Sequence, residues 1–175
     1  MLRVVAALVF FCVAVVARAD KCVDEKERLS NLRMSEFPPP ASYEWDKDPK
    51  QTALPTNARP TAAAMDAFIA TAHCPSDLAR ARFLRARYFY KWHDFERATN
   101  GFREVVDKHP SSAVAIYAYN LLLDCLNTLH RYDEMSSVLD TYCAATSETV
   151  RTNPEIKKAC SPNFLRPRLR HPGPQ

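Results

Sequence analysis

The sequence predicts an all-α fold, a short array of two helix-turn-helix pairs with flanking helices, preceded by an extended proline-rich segment. Three observations support this fold class. The 175 residues include only two glycines, too few for a protein with many tight hairpins. Apolar residues between Met65 and Tyr142 recur at the three- and four-residue spacing of amphipathic helices. Two similar segments, 90–98 and 126–135, each contain a helix end and a turn.

The first 19 residues have the pattern of a secretory signal peptide. A basic start precedes an unbroken apolar run at 4–16, and positions 17–19 supply the small residues that signal peptidase accepts. The run is shorter than the roughly 20 residues that span a bilayer. Neither Cys12 nor Cys22 follows a small residue, so no lipid-attachment signal is predicted. We therefore expect a periplasmic or secreted protein whose mature chain starts at Asp20.

Composition limits the functions open to the mature chain. Cleavage takes two arginines from a formal charge of +4 and leaves +2, with acidic and basic residues evenly spread. This distribution lacks the basic patch of a nucleic-acid-binding protein. About 155 residues remain, enough for one domain with a hydrophobic core. The sequence contains no nucleotide-binding, dinucleotide-binding or hydrolase motif, and we predict no enzymatic activity and no cofactor.

The segment 20–60 is charged at first and proline-rich afterwards. Its first part has a weak apolar face, which predicts at most a marginal helix. Six prolines between Phe37 and Pro60 hold the chain extended. Because Tyr43, Trp45 and Leu54 are able to pack, we expect a strap that lies on the domain rather than a free linker.

The helical domain is predicted over residues 61–145, and it starts with a short helix capped by Thr61. Interruptions of the apolar pattern mark four more helices, with capping residues at Ser76, Asp94 and Ser111-Ser112. Their predicted bounds are 76–92, 95–108, 113–129 and 132–143.

The turn inside each helix pair has a related sequence. Phe95 and Tyr132 each start the second helix of a pair, each precedes an acidic residue, and they lie 37 residues apart. Ala98 is small enough to let two helices approach closely, and Pro110 separates the first pair from the second. In the second pair Met135 stands where the alanine would be and no proline follows, so this pair is also consistent with a C-terminal cap.

These features, from Arg80 to Cys143, resemble the tetratricopeptide repeat (TPR) proteins of bacterial envelopes, whose repeat is about 34 residues long. The resemblance implies a groove for a peptide or protein partner, lined by the first helix of each pair. Carried onto this chain, it implies partner contacts that suit an extended or acidic peptide. The residues concerned are Arg82, Arg85, Tyr88, Phe89, Tyr117, Asn120 and Asp124.

Alternatives stay open for these residues and for the array. Phe89 and Tyr117 are also typical core residues, and Arg82 and Arg85 are consistent with a solvated surface. Two helix pairs are fewer than the three or so repeats that a solenoid needs. Either flanking segments cover its ends, or the chain forms a homodimer or is one piece of a longer protein.

Five cysteines remain after signal removal, an odd number in an oxidising compartment. We predict a Cys143–Cys160 disulfide that ties the C-terminal loop to the last helix and stabilises the fold by about 3 kcal/mol. Cys22 and Cys74 are a second candidate pair, and Cys125 is predicted to be a free, buried thiol. The chain has no Cys-x-x-Cys motif, and no metal site is predicted.

Residues 146–175 are predicted to form the disulfide-linked loop and a basic, proline-rich tail with no acidic residue after Glu155. The leading functional interpretation is a non-catalytic envelope scaffold for a protein or peptide partner. Two alternatives are retained. In one, the tail tethers the protein through weak contact with an anionic envelope surface. In the other, the unpaired thiol belongs to a small secreted redox protein.

Overall fold

A computed structural model describes residues 22–31, 50–144 and 147–160, and all regular structure in these ranges is helical. The helices are α1 (22–31), α2 (Arg59–Thr71), α3 (Pro75–Lys91), α4 (Phe95–Lys108), α5 (Ala115–Thr128), α6 (Tyr132–Cys143), α7 (Glu148–Thr152) and α8 (Pro154–Ala159), with a 3-10 turn at Thr56–Ala58. The predicted all-α class is confirmed.

Several predicted features lie outside the described residues. They are the signal peptide, most of the proline-rich strap and the basic tail. Among the helices that the structure describes, none is both long and apolar enough to cross a membrane.

The bounds of α4 and α6 agree with the prediction. α4 starts after Asp94, whose carboxylate accepts a hydrogen bond from the backbone N–H of Arg97, whereas α6 starts without a side-chain cap. The caps predicted at Thr61, Ser76 and Ser111-Ser112 are wrong, because α2, α3 and α5 start without a side-chain cap. Prolines in the first turns of α2 and α3 move those starts one or two residues earlier than predicted.

The centre of the domain is the stack of α3, α4 and α5, with α4 packed against both of the others. Phe89, Phe102 and Leu122 supply one large buried side chain from each helix. A Cβ atom added to Gly101 would lie only 2.7 Å from the Cβ of Ala86. The glycine therefore sets how closely α3 and α4 approach, together with the fully buried Ala98.

The second pair, α5 and α6, packs differently from the first. Phe95 is 2 % exposed and fills the wedge between α3 and α4, as expected. Tyr132, expected to fill the same position in the second pair, is 42 % exposed, so that expectation is wrong. The buried side chains of α6 are Met135, Val138, Leu139 and Tyr142.

Helix α1 covers the N-terminal side of the stack. A disulfide joins Cys22 to Cys74, with an S–S distance of 1.99 Å. The buried Glu25 carboxylate accepts hydrogen bonds from the backbone N–H groups of His73 (2.8 Å) and Cys74 (2.9 Å). Burial raises the pKa of this carboxyl, but the two backbone hydrogen bonds outweigh burial and the pKa is lowered overall. Leu29 completes the contact by packing in a small apolar cluster with side chains of α2 and α3.

The C-terminal side of the stack is covered by α7 and α8. The predicted Cys143–Cys160 disulfide is present, with an S–S distance of 2.02 Å, and it ties the end of α8 to the end of α6. Ile156 of α8 is fully buried in the main core. Each side of the stack therefore has a flanking helix held by a disulfide.

The last part of the predicted strap lies on the turn between α3 and α4. The Thr52 hydroxyl donates to the Trp92 carbonyl at 2.7 Å, and the backbone N–H of Leu54 donates to the Asp94 carboxylate at 3.2 Å. Leu54 itself is 1 % exposed. Residues 50–55 are therefore attached to the domain.

Candidate partner-binding groove

Helices α3 and α5 lie side by side and run in the same direction. The rings of Phe83 and Tyr117 are 6.4 Å apart, and seven residues further along both helices the Tyr90 hydroxyl donates to the Asp124 carboxylate at 2.5 Å. The N-terminal ends of the two helices therefore lie at the same end of the domain.

An open groove of about 790 Å³ lies at that end. It is bounded by the first two turns of α3, the end of α4, the α4–α5 loop, the start of α5 and the start of α7. The lining residues are Pro75, Ser76, Arg80, Lys108, His109, Pro110, Ser111, Ser112, Ala113, Val114, Tyr117 and Glu148.

The groove combines apolar surface with cations. Tyr117 is 61 % exposed, the most exposed aromatic side chain in the described part of the chain, and two prolines and a valine lie near it. Arg80 is exposed and Lys108 forms an ion pair with Glu104 at 2.8 Å. Glu148 is the one carboxylate among the lining residues that the structure describes.

His109 is held in the groove wall by Arg82. The Arg82 guanidinium donates to the His109 Nε2 at 2.6 Å and forms an ion pair with Glu104 at 3.3 Å. Burial and the adjacent Arg82 charge lower the pKa of His109. The imidazole is therefore neutral at pH 7 and accepts the hydrogen bond through Nε2.

The starts of α3 and α5 lie beside the groove, and neither helix begins with a side-chain cap from its N-cap residue. Just before α3 the backbone N–H groups of His73 and Cys74 donate to Glu25, and at the start of α5 the N–H of Ala115 donates to the Ser112 carbonyl. The Ser112 hydroxyl is buried and has no hydrogen-bond partner among the described residues. Because the Ser112 oxygen has almost no exposed surface, it is not accessible to a ligand in the groove, and the groove is a candidate ligand site through its open apolar and cationic surface.

The structure places the seven predicted contact residues in different environments. Tyr88 and Phe89 are 3 % and 1 % exposed, so their predicted role in partner contact is wrong and the alternative of core burial holds for Phe89. Tyr117 lies in the groove, and the alternative of core burial does not hold for it. Asn120 and Asp124 follow it along α5, with Asp124 bonded to Tyr90.

Both predicted arginines have intramolecular partners. Arg82 lies between Glu104 and His109 behind the groove wall, whereas Arg85 pairs with Asp66 of α2 and stacks over the Phe89 ring at 5.0 Å. Neither arginine lines the groove.

Sequence reasoning missed Arg80, Lys108 and His109 as groove residues. It assigned Ser76 and Ser112 to helix capping, and because the failure of both caps is seen only in the structure, no sequence signal marked this end of the domain.

Two other side-chain groups do not form a site. Glu25, Cys74 and Asp77 lie within metal-binding distance of one another, but the Cys74 sulfur is bonded to Cys22 and the Glu25 carboxylate accepts two backbone hydrogen bonds. Cys125 is free but buried, and burial strongly raises its pKa, so it supplies no thiolate near neutral pH.

Fold and groove together define an all-helical domain with two disulfides and an open groove between two parallel helices. No protein-family model, curated protein or solved structure matches this chain.

Proposed function

We propose that the protein is an exported, TPR-like scaffold that binds a protein or peptide partner in the groove beside the starts of α3 and α5 and has no catalytic activity of its own. The observation that carries the proposal is the matching geometry of the turns inside the two helix pairs, together with the contacts that place α3 and α5 in the same direction.

The turns inside the two pairs have the same backbone geometry. His93 and His130 both have a positive φ, 58° and 56°. In the first turn the backbone N–H of His93 donates to the Tyr90 carbonyl, and that of Asp94 donates to the Phe89 carbonyl. In the second turn the backbone N–H of His130 donates to the Asn127 carbonyl, and that of Arg131 donates to the Leu126 carbonyl. Both turns thus end their first helix with the two hydrogen bonds of a Schellman motif.

The contacts between α3 and α5 give the second line of support. Phe83 and Tyr117 are 34 residues apart in the sequence, and so are Tyr90 and Asp124. That separation equals the length of a TPR. Equivalent positions of the two turns, such as His93 and His130, are 37 residues apart, so each contact joins residues that are offset by three positions along the repeat. The contacts bring the first helices of the two pairs together, which is the arrangement expected of a repeat array.

The two disulfides support export, because such bonds persist in oxidising compartments. The chemistry of the remaining thiol speaks against the redox alternative, since Cys125 is buried and protonated. The tether alternative depends on the tail, which lies outside the described residues.

Photocrosslinking from inside the groove tests the proposal. The mature protein, Asp20 to Gln175, would carry p-benzoylphenylalanine in place of Tyr117 and be irradiated in a bacterial envelope extract. The matched control carries the same group in place of Tyr132, which is also exposed but lies outside the groove. We expect a discrete protein adduct from position 117 that position 132 does not give. Absence of an adduct at 117, or the same adducts from both positions, would refute the groove as the working surface.

A further inference from the structure

We propose that reduction of the Cys22–Cys74 disulfide turns the contact between α1 and the start of α3 into a zinc site. The two cysteine thiolates and the carboxylates of Glu25 and Asp77 are its four ligands. The inference goes beyond the proposed partner binding and does not depend on it.

The four side chains come from two helical turns with the same residue spacing. On α1, Cys22 and Glu25 are three residues apart, and at the start of α3 Cys74 and Asp77 have the same separation. Residues three apart lie on one face of a helix, so each turn presents a sulfur and a carboxylate together. The potential ligand atoms of Glu25, Cys74 and Asp77 all lie within 4.8 Å of one another. No second group of three such side chains occurs in the part of the chain that the structure describes.

The donor set fits zinc better than calcium or magnesium. Zn²⁺ is bound tetrahedrally, by thiolate sulfur at about 2.3 Å and by carboxylate oxygen at about 2.0–2.2 Å, whereas Ca²⁺ and Mg²⁺ take six or more oxygen ligands. Neighbouring ligands of a tetrahedral zinc ion therefore lie roughly 3.4–3.8 Å apart. The Cα atoms of Cys22 and Cys74 are 5.6 Å apart, so rotation of the two side chains is enough to place both sulfurs on one ion after reduction.

The carboxylates are available to a metal without loss of their present contacts. Each Glu25 oxygen accepts one backbone N–H, from His73 or from Cys74, and keeps a second lone pair. The sulfur–sulfur bond is therefore what excludes a metal from the oxidised protein. Because like charges repel at this separation, a divalent cation between the buried Glu25 and Asp77 is favourable. Arg28 and His73 lie close enough to Glu25 to offset part of the negative charge that the ligands retain.

The interconversion of the two forms balances in electrons and protons. A dithiol reductant gives two electrons and two protons to the disulfide, which yields the thiols of Cys22 and Cys74 and oxidises the dithiol to its own disulfide. The half-buried Cys22 is the more accessible sulfur for this attack. Zinc then displaces both thiol protons as it binds the thiolates. An oxidising disulfide reverses the process, since it takes two electrons from the thiolates, takes up two protons and releases the zinc ion.

The attachment of α1 then depends on both the thiol redox state and the zinc supply. A covalent bond holds α1 to α3 in the oxidised protein, and zinc holds it in the reduced protein. Only the reduced, zinc-free protein releases α1, and Leu29 then leaves the apolar cluster that it shares with Phe68 and Leu84. The site thus controls the exposure of this apolar surface.

Metal titration of the reduced protein tests the inference. The mature protein would be reduced with a phosphine, freed of the reductant without oxygen, and titrated with Zn²⁺ in competition with a chromogenic chelator. We expect the reduced protein to bind zinc and the oxidised protein to bind none. Co²⁺ in place of Zn²⁺ should give the near-ultraviolet absorption of thiolate-to-cobalt charge transfer.

Alkylation identifies the cysteine ligands directly. The reduced protein would be treated with iodoacetamide with and without Zn²⁺, then digested for mass spectrometry. Zinc should slow the modification of Cys22 and Cys74 by about tenfold or more, because a metal-bound thiolate is no longer a free nucleophile. Modification of Cys143 and Cys160 should not change.

Matched variants test the carboxylate ligands. Asp77→Asn removes one ligand and keeps the side-chain shape, so it should weaken zinc binding by at least about tenfold. The control is Asp24→Asn, the same change at an exposed residue of α1 outside the ligand group, which should alter zinc affinity by less than about twofold. The double variant Cys143→Ser with Cys160→Ser should still bind zinc. Thermal scans of the oxidised proteins check that the Asp77 and Asp24 variants are folded.

Several results would overturn the inference. They are failure of the reduced protein to bind zinc, protection of the other three cysteines in place of the proposed pair, and equal zinc affinity in Asp77→Asn and Asp24→Asn. Where reduction alone lowers the helical circular dichroism, zinc should restore it, and a signal that zinc does not restore would also count against the site. None of these results bears on the partner groove, whose crosslinking test uses the oxidised protein.

Discussion

The close approach of α3 and α4 predicts that Gly101→Ala destabilises the protein although alanine is the better helix former. The new Cβ would lie 2.7 Å from the Ala86 Cβ and 3.3 Å from its Cα, whereas carbon atoms in contact prefer about 3.5–4.0 Å. The two helices must therefore separate by roughly 1 Å in a core where Ala86, Ala98 and Phe102 are fully buried. Such overpacking costs about 1–3 kcal/mol.

Helix propensity acts in the opposite direction, because alanine is favoured over glycine by about 1 kcal/mol inside a helix. Taking the upper end of the overpacking range, given the short Cβ–Cβ distance, we expect the free energy of unfolding to fall by about 2 kcal/mol. The melting temperature should fall by about 4–8 °C for a domain of this size. Urea denaturation followed by circular dichroism at 222 nm measures the free energy of unfolding, and a thermal scan measures the melting temperature.

Two further variants isolate the cause. Asn100→Ala, at the exposed neighbouring position of α4, changes only helix propensity and should alter stability by less than about 0.5 kcal/mol. In the double variant Ala86→Gly with Gly101→Ala, the methyl group moves from α3 to α4. Most of the free energy of unfolding that Gly101→Ala loses should therefore be recovered. A neutral or stabilising Gly101→Ala, or a double variant no better than the sum of the single changes, would refute the close-approach argument.

Two other predictions concern buried titratable groups. In the folded mature protein Cys125 should not react with Ellman's reagent at pH 8, because burial raises the pKa of its thiol and excludes the reagent. After unfolding under non-reducing conditions, one reactive thiol per chain should appear. Rapid reaction of the folded protein would restore the redox alternative. The lowered pKa of Glu25 stabilises the fold at pH values above the unfolded-state pKa of about 4.3, and this contribution is lost as the pH falls through the lower folded-state pKa. The Glu25→Gln variant should therefore be less stable than the unchanged protein at pH 7, and it should lose less stability between pH 5 and pH 2. Urea denaturation at each pH measures both differences. Parallel stability profiles of the two proteins against pH would contradict this role of Glu25.

Local sequence signals sufficed for the helices that depend on local contacts. α4 was predictable because Asp94 is a capping residue adjacent to the helix, and α6 because its apolar residues follow a clear helical spacing. Both cysteine pairs were also predicted as candidates, since each links a flanking segment to the helical domain.

The remaining features depend on residues distant in the sequence. The start of α3 is held by Glu25, 49 residues before Cys74, so nothing near Ser76 in the sequence reveals its acceptor. The groove joins the starts of α3, α5 and α7, which only the packing of the whole chain brings together. The exposure of Tyr132 likewise follows from the different packing of α5 and α6 and not from its own sequence neighbours.

The disulfides at the two sides of the stack limit the motion of the flanking helices. In an open helical array the outermost helices have one neighbour each, and fraying starts there. Here α1 is bonded covalently to the start of α3, and α8 to the end of α6, so neither outer helix is able to separate without breaking a bond or unfolding its anchor. Reduction of either disulfide in zinc-free buffer should therefore release one flanking helix while the stack of α3, α4 and α5 keeps its own contacts.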